Sequence, residues 1–292
     1  MTEPVVAVLG KGRVPADTPI LRADDLGVLR GDGVFETIHV RGGKPWLLDE
    51  HLARMARSAA RLELDLPDRG AMAELAATAY QGWPGEVEGA LRLVCTRGAE
   101  GGGPATVFAT LSPIAPTVRA ARRDGVVVAT AALGVAATAR AEAPWLLGGV
   151  KALSYAVNMA SQRWAYARRL DDVLWVSSDG YALEAPTSTL VWLAGEALCT
   201  VPVETGVLPG TTVRWLFDHA AALGLDTAER MVRPAELVTA GGAWLASSVR
   251  GVVPIRELDG LALPASPHTP AIQQLLGHPT PPPGRSAKAE RS

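Results

Sequence analysis

At 292 residues and 48% hydrophobic content, the chain is long enough for two globular units with a sizeable core. A formal net charge of −2 and a pI near 6.2 leave no basic field that would draw nucleic acid or an anionic membrane surface. Cys95 and Cys199 are too few for a disulfide framework, the five histidines show no metal-ligand spacing, and no apolar run reaches the roughly 18 residues of a membrane span.

In chain order, Met1-Thr-Glu-Pro4 does not read as a signal peptide, so a reducing cytoplasm is the expected location and no metal is expected. Residues 33–40 alternate, Arg41-Gly-Gly-Lys44 turns and residues 45–48 return, which predicts a hairpin. Asp49 is placed to cap a helix over residues 50–63, with Leu52, Met55, Ala59 and Leu62 on one stripe. Arg54 falls beside that stripe, which points its guanidinium inward. A second helix is expected over 70–81, then strands over 90–96 and 106–111. Pro113 and Pro116 resist both helix and sheet, so residues 113–124 read as a linker behind a first α/β domain of residues 1–112. The second domain, residues 125–264, predicts strands over 125–131, 172–177, 189–193, 242–247 and 252–258. It also predicts a helix over 151–170 and another over 212–223, closed by Gly224. The tail, residues 265–292, contains Pro279-Thr-Pro-Pro-Pro283 and reads as disordered. Mixed helix and strand without regular βαβ alternation or a Gly-x-Gly-x-x-Gly fingerprint excludes a dinucleotide-binding domain and leaves a mixed α/β, or α+β, fold.

One residue stands out chemically. The chain has four lysines, Lys11, Lys44, Lys151 and Lys288, and its basic charge is otherwise arginine. Lys11 and Lys44 adjoin glycines and Lys288 lies in the Pro-rich tail, whereas Lys151 occupies an apolar stretch from Trp145 to Met159 with no acidic neighbour. Burial lowers an ammonium's pKa, and a neutral amine is what Schiff-base chemistry needs. Taken alone, the residue reads better as a helix-start lysine whose ammonium reaches water.

Two flanking segments decide between these. One is Arg30-Gly-Asp-Gly-Val-Phe-Glu-Thr37 with Leu48-Asp-Glu-His51-Leu-Ala-Arg54; the other is Asp179-Gly-Tyr-Ala-Leu-Glu184-Ala-Pro-Thr-Ser188-Thr-Leu190 with Gly206-Val-Leu-Pro-Gly210-Thr-Thr212. With Lys151 between them, the chain from about Leu21 to Gly260 resembles the class IV pyridoxal-phosphate enzymes, which include branched-chain and D-amino-acid aminotransferases and aminodeoxychorismate lyase. The resemblance implies a two-domain fold of the D-amino-acid aminotransferase type, with pyridoxal 5'-phosphate between the domains. It also implies a homodimer whose partner completes the site, and the Gly-rich segment from Leu21 to Phe35 is the candidate contact.

By the same resemblance Lys151 joins the cofactor aldehyde and carries protons, and Glu184 pairs with the pyridine nitrogen. Arg54, the Gly210-Thr211-Thr212 loop and Ser248 (in Ser247-Ser248) hold the phosphate, and Tyr155 reaches toward the ring hydroxyl. Each of these types also has an ordinary structural use: a strand-end glutamate, a helix-surface arginine, a helix cap, strand-end serines, a packed tyrosine. Some positions depart from the family pattern. Glu184-Ala-Pro-Thr-Ser188-Thr189 lacks the usual glycine and asparagine, Thr211 replaces an isoleucine, and the arginine after Thr212 is delayed to Arg214. The loop Thr96-Arg97-Gly-Ala-Glu-Gly-Gly-Gly103-Pro104 lacks the Arg-x-His pair that traps a D-amino-acid carboxylate, and Phe35 stands where such enzymes carry tyrosine. It resembles the lyase loop without its second arginine, so Arg97 or Arg30 is expected to bind a substrate carboxylate, with Phe35 beside the substrate. The expectation is therefore an aminodeoxychorismate lyase, ahead of an aminotransferase and of an inactive binding protein of the same fold.

Overall fold

The alternation from residue 33 produces a nine-residue strand that organises the first half of the molecule. In the computed structural model, which describes residues 2–278, six antiparallel strands form the first sheet. They are β1 (Val5–Val8), β2 (Gly12–Val14), β3 (Gly33–Arg41), β4 (Lys44–Pro45), β5 (Gly89–Thr96) and β6 (Thr106–Pro113), in the order β2-β1-β6-β5-β3-β4. Val34, Glu36, Ile38 and Val40 share one face of β3. That face is covered by α2 (Leu48–Arg61) and α3 (Arg69–Tyr80), whose Leu52, Met55, Met72 and Leu75 close the core. A short helix, α1 (Leu26–Leu29), precedes β3, capped by the Asp25 carboxylate.

Several expectations need correction here. The return strand β4 has only two residues, and Leu47, in the left-handed region at φ 57°, starts α2 without a side-chain cap. Asp49 is therefore inside the first turn, where it favours the helix dipole and pairs with Arg69 at 2.6 Å. Strands β1 and β2 went unanticipated because four and three residues carry too little periodicity. Part of the expected linker is helical: α4 (Pro116–Asp124) uses Pro116 at its first turn, where a missing N–H costs nothing.

The second sheet has nine strands: β7 (Val126–Ala132), β8 (Asp172–Val176), β9 (Glu184–Ala185), β10 (Ser188–Ala194), β11 (Ala197–Thr200), β12 (Asp226–Glu229), β13 (Ala243–Ser247), β14 (Gly251–Leu258) and β15 (Leu261–Ala262). Its main path runs β12-β11-β10-β13-β14-β7-β8, with β9 on β10 and β15 on β14. Between β7 and β8 lie α5 (Ala139–Glu142) and α6 (Ala156–Tyr166); α7 (Thr211–Asp218) and α8 (Pro234–Leu237) follow β11 and β12, and α9 (Thr269–Leu275) ends the described chain. The helix expected over 212–223 is α7 followed by a separate 3-10 turn, Ala220–Leu223, which Gly224 closes at φ 69°. Helix α9 falls in the expected disordered tail; Ile272 and Leu276 are buried with Val191, Leu216 and Trp244 against the second sheet. Pro279–Pro283 lies outside the described residues.

The most consequential correction concerns Lys151. The helix expected from 151 begins only at Ala156, and residues 151–153 instead run beside β3. Phe35 N–H donates to Lys151 C=O at 3.1 Å and Leu153 N–H to Gly33 C=O at 2.8 Å. The glycines around Asp32 make this approach possible. A Cβ at Gly31, whose φ is +67°, would lie 2.9 Å from Ser154 Cα, and one at Gly33 would lie 2.6 Å from Leu153 Cδ1.

Candidate active site

A cavity of about 1070 Å³ opens between the two sheets, and Phe35, Arg54, Lys151, Glu184, Thr211 and Ser248 all line it. Lys151 is 9% exposed, and its backbone N–H is anchored by the Ser58 hydroxyl of α2 at 3.1 Å. Its Nζ lies 4.5 Å from the centroid of the Phe35 ring and 5.4 Å from that of Tyr155. Burial, aided by the nearby Arg54 cation, lowers the amine to about 8. At pH 7 that leaves roughly a tenth of it neutral, against a few parts in ten thousand for an ordinary lysine.

Glu184 opens β9, which pairs with β10, and also lines the cavity. Its carboxylate accepts from Arg140 Nη1 and from the Leu208 N–H, both at 3.0 Å. Arg140, on α5, keeps two further buried nitrogens, Nε and Nη2, without a partner among the described residues.

The third part of the site is an ion-paired network. Arg54 forks onto the wholly buried Glu36, with both nitrogens 2.7 Å from its oxygens, and gives its remaining Nη1 to Pro209 C=O at 3.0 Å. His51 bridges from Glu36, at 2.7 Å, to the hydroxyls of Thr211 and Ser248, at 3.3 and 3.2 Å. Burial pushes Glu36 upward, but Arg54 and His51 outweigh it and hold the carboxyl well below the usual range; burial lowers His51. Thr211 and Thr212 open α7, where first-turn N–H groups have no helical acceptor, and Thr212 Oγ1 is buried without a partner among the described residues. Gly210 lets this turn approach β10: a Cβ there would lie 2.6 Å from Thr189 Oγ1.

Other expected residues fall elsewhere. Tyr155 lines the cavity and meets Phe35 edge-on at 5.1 Å, but it precedes α6 instead of following Lys151 by a helical turn, and its hydroxyl donates to Pro186 C=O at 3.0 Å. Arg97 does not reach the cavity, because Asp32 takes its fork at 2.6 and 3.2 Å and the Leu62 and Glu63 carbonyls accept its other protons. Arg30 is 70% exposed and faces Glu100 at 3.8 Å. The cation that does line the cavity on this side is Arg92 of β5, whose side chain makes no hydrogen bond or ion pair among the described residues. The sequence carried a signal for it: Arg92 pairs in register with Thr37, two residues along β3 from Phe35 and hence on the same face. Glu36 and His51 stood inside the motifs already singled out, and the alternation of β3 directs Glu36 under α2. Nothing in the sequence pointed to Arg140.

The amino-transferase class IV family pattern matches residues 33–258. The chain belongs to that family. Among curated proteins it is similar to a bifunctional aminodeoxychorismate lyase / D-amino acid transaminase of Mycobacterium tuberculosis, 41% identical over 88% of this chain and 92% of the relative. It is similar also to the aminodeoxychorismate lyase of Bacillus subtilis, at 24% over 82% of each chain. Among solved structures it resembles the PLP-bound form of a hypothetical aminotransferase from Mycobacterium tuberculosis, with a TM-score of 0.90 and 40% identity, covering 94% of this chain and 98% of that one. This class IV enzyme accordingly has the family's two-domain fold and uses pyridoxal 5'-phosphate. The site fits that cofactor. It offers a buried amine of lowered basicity, a carboxylate lining the same cavity, and a hydroxyl unpartnered among the described residues beside a helix N-terminus suited to phosphate.

Proposed function

We propose that this class IV enzyme is a 4-amino-4-deoxychorismate lyase, releasing 4-aminobenzoate, a folate precursor, and pyruvate. The observation carrying this reading is the cavity: about 1070 Å³, large enough for the cofactor and a cyclic dicarboxylate, with Arg92 unpaired on the wall that Phe35 shares. Arg92 takes the substrate-carboxylate role expected of Arg97 and Arg30. Bound pyridoxal phosphate supplies the electron sink for loss of a proton at the reacting carbon. Arg54, through its network with His51, together with Thr211, Thr212 and Ser248, would hold the phosphate end, and Glu184 would pair with the pyridine nitrogen. Lys151 Nζ takes the proton from the substrate ring carbon, the ether C–O bond breaks as the ring becomes aromatic, and the released enol takes a proton back at its methylene to become pyruvate. Atoms balance without an oxidant or an amino acceptor, so the protein mainly orients the substrate and moves protons.

The 41% relative carries both activities in its name, which favours D-amino-acid transamination as a second reading from the same residues. The protein acts as a homodimer in a reducing cytoplasm. Leu21, Val28 and Leu29, in the segment expected to meet the partner, are 39%, 56% and 49% exposed, and both cysteines are free. Purified enzyme given the chorismate derivative should form 4-aminobenzoate and pyruvate in equal amounts without a keto acid. Turnover of D-alanine with 2-oxoglutarate, and none of the chorismate derivative, would replace the lyase with the transaminase. Arg92→Ala should raise KM for the lyase substrate more than it lowers kcat.

A further inference from the structure

We propose that His39 and His278 form a proton-sensitive latch: it fastens the end of α9 to the first sheet and, when protonated, releases α9 and loosens the cavity wall at residues 248–250. His278 follows α9 and His39 belongs to β3; they are 8% and 0% exposed, and their rings stack at 5.1 Å and 29°. The His278 ring also lies against Gly251, where an added Cβ would come within 2.7 Å of it. His39 Nε2 meets Glu88 Oε2 at 2.8 Å, whereas its Nδ1 is buried without a hydrogen-bond partner among the described residues.

The groups facing this pair come from every element around it. Arg41 of β3 reaches within 3.4 Å of His278 Nε2 and also donates to Leu276 C=O. Arg122 of α4 pairs with Glu88 at 2.6 Å, and Arg119, on the same helix, lies 3.7 Å from that carboxylate. One carboxylate is thus shared between two guanidinium groups, with the Arg41 cation close by, before either ring gains a charge. His39, Glu88 and His278 bring donor atoms within 4.8 Å of one another, a set that a divalent ion could use elsewhere. With Arg41 and Arg122 at its border, an added dication meets net repulsion, and so does an added proton.

The cluster also adjoins the cofactor side. His39 N–H donates to Ser248 Oγ at 3.2 Å, Arg122 Nε donates to Arg250 C=O at 3.0 Å, and Arg122 Nη2 donates to Val249 C=O. Ser248, Val249 and Arg250 all line the cavity. Gln273 of α9 adds a hydrogen bond to Arg122 C=O at 2.8 Å, so the helix and the wall share one support.

Burial, then Arg122, His39 and Arg41, push His278 down to about 3, and burial likewise lowers His39. A freed histidine titrates near 6.5. Above that value both states are neutral and the latch holds fully. Below it the open form takes up protons that the closed form refuses. Opening then rises up to tenfold per histidine per pH unit, until the pH reaches the closed-state value. From pH 7.5 to 5.0 that amounts to roughly thirtyfold for one histidine.

Hydrogen exchange of the full-length, cofactor-loaded protein at pH 7.5 and 5.0, corrected for intrinsic rates, tests this. Opening of residues 269–278 should rise about thirtyfold or more in the wild type, with a parallel rise at 246–252, and should be nearly flat in the His39→Gln/His278→Gln double variant. An unchanged wild type, or a double variant with the wild-type pH dependence, would overturn the latch. Proton NMR titration of the wild type covers the case in which the variants do not fold. A His278 ring titrating above pH 6 in the intact fold sinks the proposal, and an untitrated ring until α9 opens supports it. Calorimetry with zinc alone gives the last outcome: stoichiometric binding lost in the double variant would make the cluster a metal site instead.

Discussion

The amine of Lys151, lowered to about 8 by burial and Arg54, is the group on which the proposed chemistry rests. Lys151→Ala should abolish turnover while leaving thermal unfolding near the wild type, and borohydride should trap the cofactor on a peptide containing residue 151. Label on Lys11 or Lys44 would refute the assignment. Glu184→Gln should keep cofactor but lose about a hundredfold in kcat, roughly 3 kcal/mol of barrier, because an amide cannot complement a pyridinium proton. Near-normal kcat in that variant would reduce Glu184 to a partner of Arg140. Glu36 gives an acid prediction. Its folded pKa is depressed, so its stabilisation is complete above about 4.3, the unfolded value, and is lost as pH falls toward the folded value. Denaturant melts from pH 6 to 3 should show that loss. Glu36→Gln should flatten it while costing about 3 kcal/mol at pH 7, since Arg54 is left buried without its partner. At this scale the sequence located Lys151, Glu184, Arg54, Thr211, Thr212 and Ser248 around one cavity. It misplaced Arg97 because a Gly-rich loop says nothing about direction, and the Asp32 that captures Arg97 lay 65 residues upstream.

Among elements, the long strands and the helices with a marked apolar stripe were legible because their periodicity spans several turns or pleats. The segment before α6 was not. An apolar run from 145 to 155 suits a helix or a buried strand equally, and what decides is the edge of β3, which only the folded chain presents. Helix α9 was hidden for a related reason: seven residues among prolines carry little helical signal, and their packing on Trp244 and Val191 supplies the stability instead. Gly33→Ala tests the β3 contact. Its new methyl would meet Cys95 C=O at 2.5 Å and Leu153 Cδ1 at 2.6 Å, so it should cost about 1–3 kcal/mol and displace residues 151–153. The cofactor absorbance band should weaken or shift in this variant; an unchanged spectrum and stability would show that the contact is slack.

At the scale of the whole molecule, two domains were legible from composition and length. The way they are fastened was not, because α4, α9 and the Lys151 segment cross between the sheets through contacts distant in sequence. Sedimentation should give a particle of roughly twice the 30.5 kDa chain. A fully active monomer would remove the dimer from the proposed function. Within one chain the fastening has a further meaning. The Lys151 amine is carried by a segment hydrogen-bonded to the first sheet, whereas Glu184 and the start of α7 belong to the second. A slight parting of the halves would pull nucleophile and cofactor cradle out of alignment before either half lost its own core. Heating should therefore silence the enzyme before it unfolds, so that activity serves as a strain gauge for the seam between the halves.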